Sequence, residues 1–412
     1  MNVQVDANRL ESELQELAAF SETVTPAVTR IVFSEADIAA RAWLKKKCVE
    51  AGLTVRDDAI GNTFFRWTGS DQSAGAVGTG SHIDAIPSSG RYDGTVGVLG
   101  GLEAIRALKQ SGFVPRRSIE LLLFTSEEPT RFGYGCLGSR MLSGSMDAKR
   151  AAKLKDHQGE SLDSVRRAAG FSGEFETIRL GPQYYSAFVE LHIEQGPLLE
   201  AGGTAIGVVT NIAAPAALRV LIEGSGGHAG AVLMRDRKDA LVGAAEMAIA
   251  VETAAINTGA ADSVATTGIC EVFPGAVNSV PSKVKLEIDV RDTDLERRDR
   301  MLAAISVQCQ AIAERRGLEV KIEILNSDAP AGCDPVIVNQ VINACEELGL
   351  SHIRMVSRAY HDSLFMSRIA PTCMIFIPCH LGYSHRPDEF ASTQSIANGA
   401  TVLARTLARL AS

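Results

Sequence analysis

The run IELLLF, residues 119–124, carries a single charge and opens directly onto TSEE, residues 125–128. An apolar run without alternation is the mark of a strand buried on both faces, which implies a sheet covered by helices on each side. The neighbouring segments agree. Residues 75–81 read as a short strand ending at His82, and residues 93–112 as a helix that starts among glycines and continues through Leu99, Leu102, Ile105 and Leu108. Residues 34–52 read as a helix that Ser34 caps and Gly52 stops, with Ile38, Trp43 and Leu44 as its apolar positions. AFVELHI, residues 187–193, is a further strand. Strands alternating with helices predict a layered α/β domain built on a mixed sheet.

The pattern changes between residues 213 and 329. Strands are expected near 217–223, 265–273, 283–291 and 318–325, and helices over 236–258 and 294–317. That order, β-α-β-β-α-β, is the ferredoxin-like split motif. The expected organisation is therefore a first catalytic segment, residues 1–212, an inserted α+β domain, 213–329, and a second catalytic segment, 330–412.

Composition narrows the class. At 412 residues, with 46% hydrophobic and 22% charged residues, the chain is long enough for two or three globular domains. A net charge of −8 argues against nucleic acid or an anionic membrane as partner. No apolar window is long enough to span a bilayer, and the charged N-terminal stretch does not read as a signal peptide. Eight scattered cysteines without a CxxC are expected to be reduced and mostly buried, so the default compartment is the cytoplasm.

Four segments carry candidate chemistry. In GSHIDAIPSSGRYDG, residues 80–94, His82 ends a strand, Asp84 lies on the same face two residues on, and Asp93 sits in a glycine-rich turn. Asp84 in this position can accept the His82 ring N–H and fix its tautomer; a turn with an incidental histidine is the competing reading. In TSEE, Glu127 and Glu128 are adjacent carboxylates at the end of a buried strand, costly together unless a cation offsets them. One would then ligate while the other stays free as a base; alone, such a pair is more often a solvated loop. ELHIEQGP places His192, Glu194 and Gln195 at a strand end, and GYSHRPDEF places His385 in a loop. Singly, each histidine is more often structural. Together, His82, Asp93, Glu128, His192 and His385 are an imidazole and carboxylate inventory suited to Zn(II) or Mn(II). Five ligands sharing one carboxylate suit two ions about 3.5 Å apart. Elsewhere, Arg291 projects from the non-core face of KVKLEIDVR, where a guanidinium can take a carboxylate bidentately, although a solvated strand arginine is the commoner case. His228 in GSGGHAG and Asn278 in NSVPSK are loop polars; His157 and His352 receive no role, and His380 reads as a surface residue.

These strings resemble the binuclear metallopeptidase and aminoacylase superfamily. Within it they look like the branch of N-carbamoyl-L-amino acid hydrolases, β-ureidopropionases, allantoate amidohydrolases and ureidoglycolate amidohydrolases. ELHIEQGP is characteristic of that branch, whose histidine replaces a carboxylate ligand of the peptidases. The stretches FTSEEPTRFGYGCLGSR, GGHAGAVLM, SRAYHDSLFM and MIFIPCHLGYSH look most like the ureidoglycolate amidohydrolase subgroup. The likeness runs from about residue 15 to the C-terminus. MRDRKDA, residues 234–240, departs from the proline- or glycine-containing versions of these families.

The resemblance implies a catalytic domain of the zinc-aminopeptidase type and an inserted lid and dimerisation domain. It also implies two divalent ions, Mn or Zn: one held by His82, Asp93 and His192, the other by Asp93, Glu128 and His385. Glu127 would be the general base with Asp84 in support. Gln195, His228, Asn278, Arg291 and His361 would contact substrate, His228 across a homodimer. The implied activity is hydrolysis of a small ureido acid, foremost ureidoglycolate in purine catabolism, with allantoate or an N-carbamoyl-L-amino acid as alternative substrates. A binding homologue that has lost catalysis is the alternative outside enzymes; the presence of all five ligands and Glu127 speaks against it.

Overall fold

In the computed structural model, residues 3–412 are described; the first two positions of the expected 1–212 segment lie outside them. The chain forms two compact units. One contains the chain up to Thr210, Gly332–Ser357 and His361–Ser412; the other contains Asn211–Ala331 and Arg358–Tyr360.

The first unit is built on a nine-stranded mixed sheet. Its centre is four parallel strands in the order Thr372–Ile377, Tyr185–Ile193, Ala76–Ser81 and Ile119–Leu123. All five residues of Ile119–Leu123 are buried, as its nearly all-apolar run predicts. Thr63–Trp67 and Thr54–Asp57 extend one side antiparallel, and Ile206–Ile212 pairs antiparallel with Thr372–Ile377 on the other. One core cluster joins the helices Thr95–Gln110 and Thr393–Ala411 to the sheet; a second gathers Phe64, Phe124 and Phe188 with the helix Leu137–Ser143. In the parallel strands Ser81 lies opposite Leu123, and Ile193 opposite Ile377. Their C-terminal ends therefore stop at one edge, where α/β sheets bind ligands.

The helix Glu35–Glu50 forms as expected, with Ser34 accepting the Asp37 N–H as its cap. Its buried face differs from the predicted one. Ile38 is exposed and Trp43 only half-buried, while Asp37, Ala40, Arg41, Leu44 and Cys48 face inward. The reason is a buried ion pair one turn apart: Arg41 Nε donates to Asp37 Oδ2 at 2.9 Å, and the Gly61 carbonyl and Phe33 N–H complete it. Hydrophobic periodicity cannot anticipate an inward-facing charge that is paired and hydrogen-bonded.

The second unit is a four-stranded antiparallel sheet in the order Val264–Phe273, Lys283–Asp292, Ala214–Glu223, Glu319–Ser327. Val284, Leu286, Ile288 and Val290 alternate inward against the helices Ala240–Ile256 and Leu295–Arg316. Asp239 and Asp294 cap those helices, each cap contributing about 1 kcal/mol. A two-residue pair, Gly227–His228 with Ser279–Val280, is added to the β-α-β-β-α-β order. Among the described residues, no helix is long and apolar enough to cross a membrane. All eight cysteines are free thiols, six of them buried.

Candidate metal centre and active site

Asp93 is buried in the turn before the helix Thr95–Gln110, and three imidazoles converge on it. Its Oδ1 lies 3.6 Å from His82 Nε2 and 3.2 Å from His192 Nε2. Its Oδ2 lies 3.2 Å from His385 Nε2, which is also 3.3 Å from Glu128 Oε1. Two donor groups, His82–Asp93–His192 and Asp93–Glu128–His385, thus share one carboxylate.

The fold delivers these side chains from strand ends. His82 follows Ala76–Ser81, Glu127 and Glu128 follow Ile119–Leu123 by a few residues, and His192 is the penultimate residue of Tyr185–Ile193. Three non-glycine residues here take left-handed backbone: Ser126 (φ 56°), Gln195 (φ 54°) and His385 (φ 60°). Such conformations cost on the order of 1 kcal/mol or more each and persist only where the surroundings impose them. Gly94 has φ 67°, and a Cβ there would meet His82 Nε2 at 2.4 Å, so any side chain would be strained and would displace the ring.

The rings are oriented from behind. His82 Nδ1 lies 2.9 Å from the Asp84 carbonyl oxygen, and His192 Nδ1 lies 2.9 Å from the Ile193 carbonyl oxygen. With Nδ1–H donated to each carbonyl, both Nε2 atoms point at Asp93. This corrects the expected part of Asp84: its main-chain oxygen, not its carboxylate, holds the ring, the carboxylate being 3.7 Å away. The carboxylate instead accepts the backbone N–H groups of Glu127 (3.2 Å) and Glu128 (3.0 Å). In the turn that follows the strand, the Asp84 side chain faces the neighbouring TSEE segment.

The electrostatics call for positive charge between the Nε2 atoms and the carboxylates. Burial disfavours a charged His82, yet Glu127, Asp93 and Asp84 raise it well above the ordinary imidazole range. Hydrogen bonds to Asp93 and then Glu128 push His385 up to about 11. Asp93, despite burial, is held well below the ordinary carboxylate range by His192, His385 and His82. The donor set, ring nitrogens fixed toward shared oxygens, fits a pair of divalent cations.

Glu127 belongs to neither group. Its Oε2 is 3.8 Å from His82 Nε2, and its Oε1 accepts the Cys136 thiol at 3.3 Å. Burial, with the charges of Glu128, Asp362 and Asp93, pushes its carboxyl well above the usual range against the pull of His82. A carboxylate of raised proton affinity beside such donor groups can exchange a proton with a nearby water.

The supporting residues were less legible in the sequence. Glu389 Oε1 accepts the N–H groups of Tyr92 and Asp93, and its Oε2 accepts the Ser384 hydroxyl. Gln195 donates to Asp93 Oδ2 at 2.7 Å, and Ser384 Oγ lies at the same distance from it, its one hydroxyl proton shared between Asp93 and Glu389. Glu389 lies four residues after His385, in the same GYSHRPDEF stretch; a second carboxylate so close to a candidate ligand was the available signal. Glu190 shares a strand face with His192 and accepts Ser81 Oγ at 2.8 Å and Ser363 Oγ at 2.6 Å. His361 packs against His192 with ring centres 4.4 Å apart and planes tilted by 57°, and lies 3.1 Å from Ser357 Oγ. His380 is exposed and pairs with Glu200, in keeping with a surface role.

The other candidates belong to the second unit. His228 is exposed, opposite Ser279 in register, and the Asn278 carbonyl accepts the Ala229 N–H. Arg291 does project from the non-core face. Its Nε donates to Asp289 Oδ1 at 2.7 Å and its NH2 to Oδ2 at 3.3 Å, so the fork is already engaged by the residue two positions back on the same face.

Residues 78–409 match the model of peptidase family M20/M25/M40. The chain is similar to a ureidoglycolate hydrolase of Arabidopsis thaliana, 51% identical over 99% of this chain and 87% of the relative. It is equally similar to a ureidoglycolate hydrolase of Oryza sativa subsp. japonica, 51% identical over 98% of this chain and 85% of the relative. The crystal structure of AtUAH in complex with glyoxylate superposes with a TM-score of 0.90 at 50% identity, covering 99% of this chain and 98% of that one.

Proposed function

The chain belongs to peptidase family M20/M25/M40, and from that membership and the geometry of its site we propose that it is a metal-dependent amidohydrolase that cleaves the ureido C–N bond of a small ureido acid, foremost ureidoglycolate. One observation carries the reading: Glu127 stands outside both donor groups, beside a cluster in which His82, His192 and His385 all direct Nε2 at Asp93. Likeness to ureidoglycolate hydrolases across nearly the whole chain selects the substrate.

In this reading His82, Asp93 and His192 hold one divalent ion, Mn or Zn, and Asp93, Glu128 and His385 hold the second. When bound, the pair supplies Lewis-acid polarisation and acidifies water. Glu127 takes a proton from the attacking water and delivers it to the departing ammonia. Asp84 fixes the Glu127–Glu128 turn through its two main-chain hydrogen bonds. Gln195 and His361 line the substrate position. Arg291 and Asn278 hold the substrate carboxylate, and His228, reaching across a homodimer, stabilises the oxyanion, a contribution of about 3 kcal/mol in comparable sites. Ureidoglycolate and one water then give hydroxyglycine, ammonia and carbon dioxide, and hydroxyglycine decays to glyoxylate and a second ammonia. The inserted segment, 213–329, which in sequence separates catalytic segments 1–212 and 330–412, acts with its β-α-β-β-α-β order as a ferredoxin-like lid and forms the contact between subunits of the homodimer.

The test is a comparison of the purified, Mn(II)-loaded protein on ureidoglycolate, allantoate and N-carbamoyl-L-amino acids. The highest kcat/KM is expected on ureidoglycolate, and a preference for either of the others reassigns the substrate. Glu127→Gln should abolish turnover with metal content unchanged; retained activity removes Glu127 from its role.

A further inference from the structure

Cys136 touches the Glu127 carboxylate, and nothing in the chemistry above employs it. Its side chain is fully buried, and Sγ lies 3.3 Å from Glu127 Oε1. Burial pushes the thiol well above its ordinary range, so it remains an S–H donor.

The placement is specific. Cys136, Leu137 and Gly138 donate successive main-chain N–H groups to the carbonyls of Glu127, Ser126 and Thr125 at 2.8, 2.9 and 2.8 Å. This zipper fixes the Cys136 backbone against the segment that carries Glu127. Cys136 also takes a left-handed backbone with φ 55°, a conformation that glycine or asparagine would hold with less strain. It occupies the cap position of Leu137–Ser143 yet makes no capping hydrogen bond. The position therefore tolerates strain and forgoes a cap while its side chain is directed at Glu127.

A base that shuttles a proton needs one oxygen anchored and the other free. Cys136 engages Oε1; Oε2 is the oxygen 3.8 Å from His82 Nε2, on the side of the metal cluster. A hydroxyl or charged donor would anchor the carboxylate more firmly, whereas a thiol is a weak donor that orients without saturating it.

We propose that Cys136 is a positioning residue for the reaction: its S–H donates to Glu127 Oε1 and holds the carboxylate in the rotamer that presents Oε2 to water and leaving group. This rests on the reading of Glu127 as the base. Loss of the anchor slows the chemical step and leaves substrate and metal binding alone, because Cys136 belongs to neither the His82–Asp93–His192 nor the Asp93–Glu128–His385 group.

The experiment measures kcat, KM and metal content of the full-length, Mn(II)-loaded Cys136→Ala and Cys136→Ser variants, with Glu127→Gln as reference. In Cys136→Ala, kcat should fall roughly 10-fold with KM and metal content unchanged. Cys136→Ser restores the donor and should return kcat to within about threefold of the parent. In crystals of Cys136→Ala, Glu127 should occupy more than one rotamer. The proposal is overturned if Cys136→Ala keeps kcat within about twofold, if Ser is as slow as Ala, if the loss follows metal content or KM, or if the Glu127 rotamer is unchanged. Should Cys136→Ala fail to fold, Cys136→Val, near in size and without a donor, is read against Ser in the same way. An active Glu127→Gln would sink the assignment of the base itself; an inactive one beside an unimpaired Cys136→Ala would sink only the role of Cys136.

Discussion

The Glu389 carboxylate holds the turn on which Asp93 sits: its Oε1 accepts the backbone N–H groups of Tyr92 and Asp93 at 2.7 and 3.1 Å. Glu389 and Asp93 are separated by 296 residues, so the shared carboxylate of the metal centre is set from the far end of the chain. Through Ser384, the same side chain ties the His385 loop to that turn.

Glu389→Gln keeps one acceptor oxygen and puts an amide where the other stood. Metal affinity is expected to fall about 10- to 100-fold, as for other groups that orient ligands from behind. Metal content after dialysis against chelator-buffered Mn(II) measures this, and parental retention would show that Glu389 only packs.

Asp84→Asn makes one of two N–H groups face another donor. A buried donor left without an acceptor costs about 1–3 kcal/mol; here the TSEE turn should shift, and kcat fall roughly 10- to 100-fold in a folded protein. Circular dichroism alongside kinetics separates a displaced turn from unfolding. Unchanged kcat would mean that the His82 contact through the Asp84 main chain is all that matters at this position.

Metal uptake should release protons. Asp93 and then Glu128 hold His385 protonated, with its titration raised from 6.5 to about 11. Because the folded value is raised, the stability given by the charged ring is complete below 6.5 and fades only as pH climbs through about 11. A divalent cation takes Nε2 only after that proton leaves, so affinity is expected to climb between about pH 6 and 8. Calorimetry in buffers of different ionisation enthalpy counts the protons; a pH-independent affinity would contradict the expectation.

Gly94→Ala and Gly112→Ala form a matched pair. Both glycines have positive φ, 67° and 77°, but an added Cβ meets His82 Nε2 at 2.4 Å in the first and nothing within 4 Å in the second. The second change should cost about 1–2 kcal/mol and leave metal binding intact. The first should lose the metal as well, and metal retention in Gly94→Ala would mean that the His82 ring can move aside.

Arg291→Lys keeps the charge and loses the fork. If the guanidinium leaves Asp289 to hold the substrate carboxylate, KM should rise about 10- to 100-fold with kcat nearly unchanged. A fall in kcat at constant KM would instead place Arg291 in support of the chemical step.

Much of this protein was legible in its sequence because short-range rules carry it. The nearly all-apolar run Ile119–Leu123 marked a strand covered on both faces, and the alternation of Val284, Leu286, Ile288 and Val290 marked one covered on a single face. Histidines and carboxylates near predicted strand ends picked out side chains that converge on Asp93, because parallel strands that stop at one edge bring their following residues together. What the tertiary structure decided were contacts between distant segments whose partners are polar. Asp84 turned its carboxylate to the Glu127–Glu128 backbone rather than to His82, Glu389 reached back to Asp93, Asp37 and Arg41 took an inward face of their helix, and Cys136 met Glu127. Hydrophobic periodicity reports which face of an element leaves water. It carries no information about which buried donor will find which acceptor, since that depends on distances fixed only after the sheet has assembled.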